Sequence, residues 1–411
     1  MKKVTFKAVG KAFLASSPSL TGSLARLPFG PNIGRTGGKK WTTIFLILCI
    51  LGITLNMILA FTQDTLDDGK YDMDAFAGRY WLWVIGGWLS GFGIATFPMI
   101  INVALWSTLA EGGVKQALYG GLANCTPGIF ALLMPFVTEA WNLKVAYVLW
   151  LIMTILGSGG ALAFIVNTPY HQLKDQGVNM DDAKKIARWL GQQQVPKPGA
   201  TLSDVIVMFK AWVLVFNYFL CFGGFLALTT YLPILEKGYN NQEPRMAGVF
   251  TATFSIFASL SRSVMGKTTD KIGGGKAVII GEVCVAVGSV AFAFTPPDSP
   301  THILHLVGLY LTAFGMGFVN AGVYKWIPKA CPGLEAACGG MVGGLGAFGG
   351  FVLPLALGWC GENLGERGYA YGMFIYTGLA FFNILMTFIL EAQLRANPPV
   401  FSALGLPQTP M

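Results

Sequence analysis

The chain has 411 residues, of which 54% are hydrophobic and only 12% are charged, whereas about 25% of an ordinary soluble domain is charged. This composition excludes a soluble globular enzyme, a disordered protein and a nucleic-acid-binding protein. The formal charge of +8 does not indicate a nucleic-acid partner, because membrane proteins collect Lys and Arg in their cytoplasmic loops. The seven cysteines show neither a disulfide framework nor a metal-ligand spacing, and no cofactor is predicted.

Apolar stretches long enough to cross a bilayer, which requires about 20 residues, recur along the whole chain. In chain order, ten stretches lack Asp, Glu, Lys and Arg: 41–63, 80–110, 116–138, 145–167, 211–235, 246–261, 283–297, 303–324, 336–361 and 369–390. An eleventh and weaker stretch, 12–33, is interrupted by Arg26. The sequence therefore predicts an all-α integral membrane protein with about eleven transmembrane helices.

The charges of the connecting loops alternate in sign and predict the orientation. One set of loops contains Arg35, Lys39, Lys40, Lys115, Lys184, Lys185, Arg188, Lys267, Lys271, Lys276, Lys325 and Lys329. The alternate loops contain Asp64, Asp67, Asp68, Asp72, Asp74, Glu139, Glu236, Glu243, Asp298, Glu362 and Glu366. Because Lys and Arg favour the cytoplasmic side, we place the first set of loops on the cytoplasmic side of the membrane. The chain is predicted to cross a cell membrane (inner or plasma membrane) many times.

One long polar stretch divides the chain into two hydrophobic halves. We predict an amino-terminal half over 1–168 with five spans, a cytoplasmic linker over 169–203, a carboxyl-terminal half over 204–393 with six spans, and a cytoplasmic tail over 394–411.

An internal repeat relates the two halves. Ser23, Leu24, Arg26, Gly30, Arg35, Gly37 and Gly38 recur, each 236 residues later, as Ser259, Leu260, Arg262, Gly266, Lys271, Gly273 and Gly274. Duplicated halves are typical of secondary transporters, whose substrate site lies at the repeat interface near the middle of the membrane. Arg262 falls on the second span of its half, but no span precedes Arg26, so we expect a twelve-helix architecture whose first helix is missing through a misassigned start codon or a real truncation.

Arg26 and Arg262 are the leading candidates for chemistry. An Arg within a span costs at least about 2.5–3.5 kcal/mol on insertion scales and usually faces the bundle interior, although an Arg near a helix end can also extend to the interface. Symmetric halves would point the two side chains at each other. Two guanidinium groups without a carboxylate partner form an anion site, and their planar donors suit a planar oxyanion.

The predicted spans are almost free of the Asp, Glu and His side chains that proton-coupled carriers use as relays. Glu282 is the exception, near the cytoplasmic end of its helix, while His171, His302 and His305 lie at span ends. We therefore predict no obvious proton relay, and exchange of one anion for another needs none. We also find no nucleophile–base pair, metal-ligand cluster or phosphate loop, so an enzyme is the least favoured class.

Taken together, these residues resemble the nitrate/nitrite porter family of the major facilitator superfamily. The similarity lies in the Gly-rich loop 30–40, the run 120–124 (GGLAN), the run 340–351 (GMVGGLGAFGGF) and the run 320–328 (NAGVYKWIP). In the first loop Gly34 replaces the usual acidic residue, whereas the second copy retains Asp270.

The resemblance implies a major facilitator fold and a set of substrate-binding residues. In that family one Arg from each half clamps the anion, and these positions match Arg26 and Arg262. A Tyr and a Phe of the seventh helix match Tyr218 and Phe222, and the signature Asn matches Asn124. The two glycine-rich signatures add Gly120 and Gly344. Taken alone, Asn124 and Tyr218 are better explained as polar contacts between helices than as binding residues.

The implied function is transport of nitrate, nitrite or both by alternating access, with nitrate/nitrite exchange favoured. The expected partners are these anions and the lipid bilayer, and we expect a monomer. Proton-coupled nitrate symport, transport of another small or organic anion, and a non-transporting membrane sensor remain alternatives.

Overall fold

A computed structural model describes residues 8–63, 73–100, 102–103, 112–192, 201–332, 334–365 and 367–396. Helices dominate these residues, and no strand occurs in the described ranges. Most of the predicted tail lies outside them.

The amino-terminal half is built from long helices that follow the predicted apolar stretches. They are α1 (Ala8–Leu24), α2 (Arg26–Thr36), α3 (Lys39–Phe61), α4 (Met73–Gly78), α5 (Tyr80–Gly91), a 3-10 segment (Ile94–Met99), α6 (Gly112–Ala140) and α7 (Leu143–Phe164). The linker contributes α8 (Pro169–Asp175), α9 (Met180–Trp189) and α10 (Leu202–Ile206).

The carboxyl-terminal half contains two π-helical segments within otherwise regular helices. Its elements are α11 (Phe209–Tyr218), the first π segment (Phe219–Gly223), α12 (Gly224–Tyr239), α13 (Pro244–Ile272), α14 (Gly274–Ala293), α15 (Ile303–Ala330), α16 (Glu335–Met341), the second π segment (Val342–Gly346), α17 (Gly349–Asn363), α18 (Gly368–Tyr371) and α19 (Phe374–Ala396).

The structure confirms the all-helical membrane architecture. By length and composition, eight helical segments among the described residues could cross a membrane: Lys39–Phe61, Val114–Ala140, Leu143–Phe164, Phe209–Tyr239, Gly274–Ala293, Ile303–Ala330, Glu335–Asn363 and Gly368–Ala396. The predicted number of eleven stays a prediction, because α1–α2, α5 and α13 are helical but do not meet the same criteria.

Two predicted spans are not single straight helices. The stretch 12–33 divides at Ala25 into α1 and α2, because Pro28 has no N–H to donate to the carbonyl of Leu24 and its ring would clash with that group. The stretch 80–110 ends its α-helix at Gly91 and continues as the 3-10 segment; residues 101 and 104–111 lie outside the described ranges.

The prediction that Glu236 lies in an outer loop is wrong. Glu236 belongs to α12 and its side chain is fully buried. Its carboxylate lies 3.0 Å from Nε2 of His305, and Asn240 donates a 2.8 Å hydrogen bond to its second oxygen. A carboxylate can be buried when a partner and hydrogen bonds satisfy it, which is why the loop prediction failed.

The predicted linker packs on the Gly-rich loop between α2 and α3. The ring Nε2 of His171 lies 3.2 Å from the carbonyl oxygen of Gly34, and Lys174 donates a 2.8 Å hydrogen bond to the carbonyl of Arg35. In the second repeat the position of Gly34 is occupied by Asp270, which forms a 2.6 Å ion pair with Lys325. The two halves therefore stabilise equivalent loops by different contacts.

Candidate functional site

The guanidinium groups of Arg26 and Arg262 lie against the same aromatic ring. Each side chain is only 1% exposed. The Cζ atoms lie 5.0 Å (Arg26) and 5.3 Å (Arg262) from the ring centroid of Phe97, which belongs to the 3-10 segment. Neither Arg takes part in an ion pair within the described part of the chain. Two uncompensated cations are thus gathered around one ring inside the membrane.

The donors of Arg26 are occupied by backbone carbonyls. Its Nε and Nη2 donate to the carbonyl oxygen of Ile94 at 3.2 and 2.7 Å, and its Nη1 donates to the carbonyl of Gly343 at 3.1 Å. Ile94 belongs to the amino-terminal half and Gly343 to the second π segment of the other half. Arg26 therefore joins the two halves, because one guanidinium can donate in several directions within its plane.

The donors of Arg262 are not satisfied in the same way. Its Nε and Nη1 are buried and have no hydrogen-bond partner among the described residues. A buried donor without a partner costs about 1–3 kcal/mol, and more when the group is charged. These two N–H groups fit an acceptor that is itself negatively charged, since such hydrogen bonds are roughly twice as strong as neutral ones.

Gly120 allows the guanidinium of Arg262 to lie flat against helix α6. A Cβ atom at position 120 would be 2.4 Å from Cζ and 2.5 Å from Nη2 of Arg262. No real Cβ contact is this short, so only glycine leaves room for the observed side-chain position.

Aromatic side chains form the wall around both cations. Phe222 stacks on Phe97 with centroids 5.3 Å apart and lies 5.1 Å from Cζ of Arg26. Tyr218 stacks on Phe222 at 5.0 Å, and Tyr324 lies 5.7 Å from Cζ of Arg262. The faces of such rings stabilise nearby cations by about 0.5–2 kcal/mol, which offsets part of the cost of burying them.

The two π segments meet beside this wall. A Cβ on Gly223 would be 2.6 Å from the carbonyl oxygen of Gly346, and one on Gly346 would be 2.7 Å from Cβ of Tyr218. Small residues let helices approach this closely. Single-turn π segments occur frequently at functional sites, and here they position Tyr218, Phe222 and the carbonyl of Gly343.

Asn124 lines a cavity beside Arg262, whereas Gly344 packs on the helices around Arg26. A small cavity of about 10 Å³, room for about one water molecule, is lined by Asn124, Cys221, Phe225, Ala258, Ser259, Arg262, Met316, Gly317 and Asn320. Gly344 contacts the helix that carries Arg26 and not its guanidinium, since a Cβ there would meet the side chain of Leu27 at 2.7 Å.

Sequence reasoning missed Phe97, Tyr324 and Asn320 as site residues. Phe97 is one of 30 Phe residues, and the only signal beside it is Pro98, which interrupts helical hydrogen bonding. Tyr324 and Asn320 lie within the quoted run 320–328, but no role was assigned to them. The amide oxygen of Asn320 is buried without a partner among the described residues.

Buried carboxyl groups outside the wall extend the polar interior of the carboxyl-terminal half. Besides the pair of Glu236 and His305, the fully buried Glu282 accepts a 2.9 Å hydrogen bond from Asn383. Sequence analysis named Glu282 as the exception and placed His305 at a span end, where it is the third residue of α15; Glu236 is the one carboxyl group among these that it did not place within a span. No group of three or more His, Cys, Asp or Glu residues within the described ranges is arranged to hold a metal ion.

Known proteins resemble the chain along most of its length. It is 24% identical to the nitrite extrusion protein of Bacillus subtilis over 94% of this chain and 87% of that protein. It is 31% identical to the probable nitrate/nitrite antiporter NarK1 of Thermus thermophilus, over only 35% of this chain and 36% of that protein.

The fold also matches solved structures. The xylose transporter XylE from E. coli, in a partially occluded inward open conformation, superposes with a TM-score of 0.65 at 14% identity, covering 97% of this chain and 90% of the other. The profile of the Major Facilitator Superfamily matches residues 5–354. With a multi-pass helical architecture of two related halves, the chain belongs to the Major Facilitator Superfamily.

Proposed function

We propose that the chain is a secondary transporter that exchanges nitrate and nitrite by alternating access. The observation that carries the proposal is the pair of buried guanidinium groups around Phe97, one of which has two unsatisfied donors. The names of the relatives, a nitrite extrusion protein and a nitrate/nitrite antiporter, support the choice of substrate and the mode of exchange.

The chemistry of the site favours a small planar monoanion. The planar guanidinium of Arg262 offers Nε–H and Nη1–H without partners among the described residues, and planar donors of this kind suit the oxygens of a planar oxyanion. The stacked rings of Phe97 and Phe222 lie with their centroids 5.0 and 5.1 Å from Cζ of Arg26, so the surroundings of the cations are flat apolar faces. The cavity beside Arg262 has a volume of only about 10 Å³, so any anion must widen it, and a larger organic anion must widen it most.

Contacts between the halves on both sides of the site support a rocking movement. On the cytoplasmic side of Arg26, the Cβ position of Gly30 would be 2.3 Å from Cα of Gly340. On the opposite side, Glu139 at the end of α6 forms a salt bridge with Arg245 at the start of α13. Opening either side requires only one of these contacts to separate, as alternating access around a fixed site demands.

Exchange follows from the electrostatics of two like charges. A monoanion neutralises only one of two guanidinium groups, so a carrier that returns without an anion must hold both charges together in a medium of low dielectric constant. Return with a second anion avoids that cost. In this account nitrate moving one way and nitrite the other would be obligatorily coupled.

A flux assay tests this function directly. Purified protein in vesicles should take up labelled nitrate, and Arg262→Ala should reduce uptake by at least about 100-fold, since two hydrogen bonds to a charged group contribute about 1.5–3 kcal/mol each. Arg395→Ala is the matched control, because Arg395 is 74% exposed at the end of α19 and carries the same charge. Equal loss in both variants, or normal uptake by Arg262→Ala, would rule out the proposed site.

A further inference from the structure

Helix α9 of the linker exposes large apolar side chains, although it lies outside the predicted membrane spans. Trp189 is 84% exposed, and Leu190 and Ile186 are 52% and 38% exposed. These residues are three and four positions apart, a spacing that places them on one side of a helix, and we call them the exposed face of α9. Scattered exposed apolar residues are normal, whereas a contiguous set marks an interaction surface.

Another side of α9 packs on α8 and determines which side chains remain exposed. Ala183 and Ala187 of α9 are fully buried in a small apolar cluster with Tyr170 of α8. Because a helix with its side chains is roughly 10–12 Å wide, two helices packed in this way lie within about that distance of each other. The position of α8 therefore also fixes the position of α9.

Helix α8 lies at the ends of two membrane spans. The span Leu143–Phe164 ends shortly before α8 begins at Pro169. The backbone N–H of Lys39, the first residue of the span Lys39–Phe61, donates a 3.1 Å hydrogen bond to the side chain of Asn167. Since the ends of spans lie at the membrane surface, α8 and the adjacent α9 are within reach of phospholipid headgroups.

An unpaired basic side chain lies next to the exposed face of α9. Arg188 directly precedes Trp189 and forms no ion pair within the described part of the chain. The two carboxylates of α9 are paired within the helix, Asp181 with Lys184 and Asp182 with Lys185. A guanidinium binds the oxygens of a phosphate group through more than one N–H. The charge beside Trp189 therefore fits the phosphate of a phospholipid.

We propose that the exposed face of α9 inserts into the headgroup region of the adjacent membrane leaflet, with Arg188 bound to the phosphate of an anionic phospholipid. Trp favours the membrane–water interface, because its ring is apolar and its N–H is polar. Helices that lie in the plane of the interface combine such an apolar face with basic side chains. Lipid would thereby hold the linker in place, and with it the contacts of His171 and Lys174 to the Gly-rich loop. The proposal does not depend on which anion is transported.

Quenching by brominated lipid tests the insertion of Trp189. The protein has 11 Trp residues, so the emission of Trp189 is obtained as the difference between the wild type and Trp189→Phe. In vesicles of phosphatidylcholine and phosphatidylglycerol with brominated acyl chains, most of this emission should be lost, whereas the same lipids without bromine should preserve it. The control adds Asp181→Trp to the Trp189→Phe protein. The side chain of Asp181 is 80% exposed beside Lys184, and a Trp there should keep its emission in both kinds of vesicle.

Removal of the positive charge tests the contact with phosphate. A basic side chain near an anionic membrane surface strengthens binding roughly fivefold, so Arg188→Gln should weaken the quenching of Trp189 in vesicles that contain phosphatidylglycerol. Arg395→Gln is the matched control, because Arg395 is 74% exposed on α19, and it should leave the quenching unchanged. Equal quenching of Trp189 in the wild type and Arg188→Gln would overturn the phosphate contact.

The insertion itself is overturned if brominated lipid leaves the emission of Trp189 unchanged. It is also overturned if that emission responds to protein concentration and not to bromine, because the exposed face of α9 would then bind a second copy of the chain.

Discussion

Gly120 and Arg262 are in direct contact across the interface of the two halves, with the guanidinium lying where a side chain at position 120 would begin. A Cβ there would be 2.4 Å from Cζ of Arg262. The contact explains why a glycine on α6 belongs to the candidate site although it has no functional group: its backbone sets how closely a cation from the other half approaches Phe97.

Gly120→Ala should therefore impair the site without removing any charge. The added methyl group must push the guanidinium away from its position, and we expect nitrate uptake to fall by at least about tenfold, because a displacement of about 1 Å in a positioned group can cost more than that. The measurement is the initial rate of uptake against nitrate concentration. Gly157→Ala on α7 is the control, since nothing lies within 4 Å of its Cβ position; equal effects of both substitutions would refute the role of Gly120.

A positive charge alone should not restore the function of either arginine in nitrate uptake. Lysine keeps the positive charge but has a single ammonium group, so Arg26→Lys cannot reach both Ile94 and Gly343, and Arg262→Lys loses the planar fork. We expect each variant to reduce nitrate uptake by at least about tenfold while the folded protein persists in detergent. Near-normal uptake of a larger organic anion by these lysine variants would favour the alternative that the chain carries such an anion.

Phe97 should contribute to binding through its aromatic face. Phe97→Leu keeps an apolar side chain of similar size but removes the ring that both guanidinium groups contact. Because each cation–ring contact is worth about 0.5–2 kcal/mol, affinity for nitrate should fall roughly tenfold in a binding titration. Phe314 of α15 is only partly buried and its ring packs against Phe318, so Phe314→Leu should leave affinity unchanged. A loss of affinity in Phe314→Leu equal to that in Phe97→Leu would count against the account.

The contact between the linker and the Gly-rich loop should weaken on acidification. Burial holds the pKa of His171 below its ordinary value of 6.5. Its Nδ1 lies 2.8 Å from the hydroxyl of Thr168, and a neutral ring can accept a hydrogen bond from that hydroxyl. Because the unfolded segment binds a proton more readily than the folded one, stability rises with pH and is lost as the pH falls below about 6.5. The protection factors of residues 30–40, which are exchange rates corrected for the intrinsic chemical rate at each pH, should therefore be lower at pH 5.5 than at pH 7.5.

His171→Gln provides the control for this effect. Glutamine can still donate to the carbonyl of Gly34 but does not titrate, so exchange in the loop should lose its pH dependence apart from the intrinsic chemical rate. If wild type and variant respond to pH alike, His171 does not control the contact.

The fold was predictable where it depends on local composition. Apolar stretches of about 20 residues specify transmembrane helices, and α3, α6 and α7 closely follow the predicted limits. The features of the fold that sequence analysis missed depend on contacts between residues far apart in the sequence. The π segments depend on the meeting of Gly223 with Gly346, which lie in different helices, and neither glycine differs from its many neighbours in the sequence.

The two cations of the candidate site could be predicted from the sequence, but the aromatic wall around them could not. Arg26 and Arg262 are recognisable because a charge in an apolar stretch is rare and the internal repeat relates them. Phe97 acquires its position only because α5 gives way to a 3-10 segment, so its residue type carries no signal. Glu236 was assigned to a loop because an isolated carboxylate is costly in a membrane, and only the fold reveals His305 beside it.

The central claim is exchange of nitrate for nitrite at the paired arginines, and counterflow in vesicles tests it most directly. Vesicles that contain purified protein and are loaded with nitrite should take up external nitrate with the proton gradient collapsed, whereas vesicles without internal nitrate or nitrite should take up little. Uptake that ignores internal nitrite and requires an inward proton gradient would contradict the account.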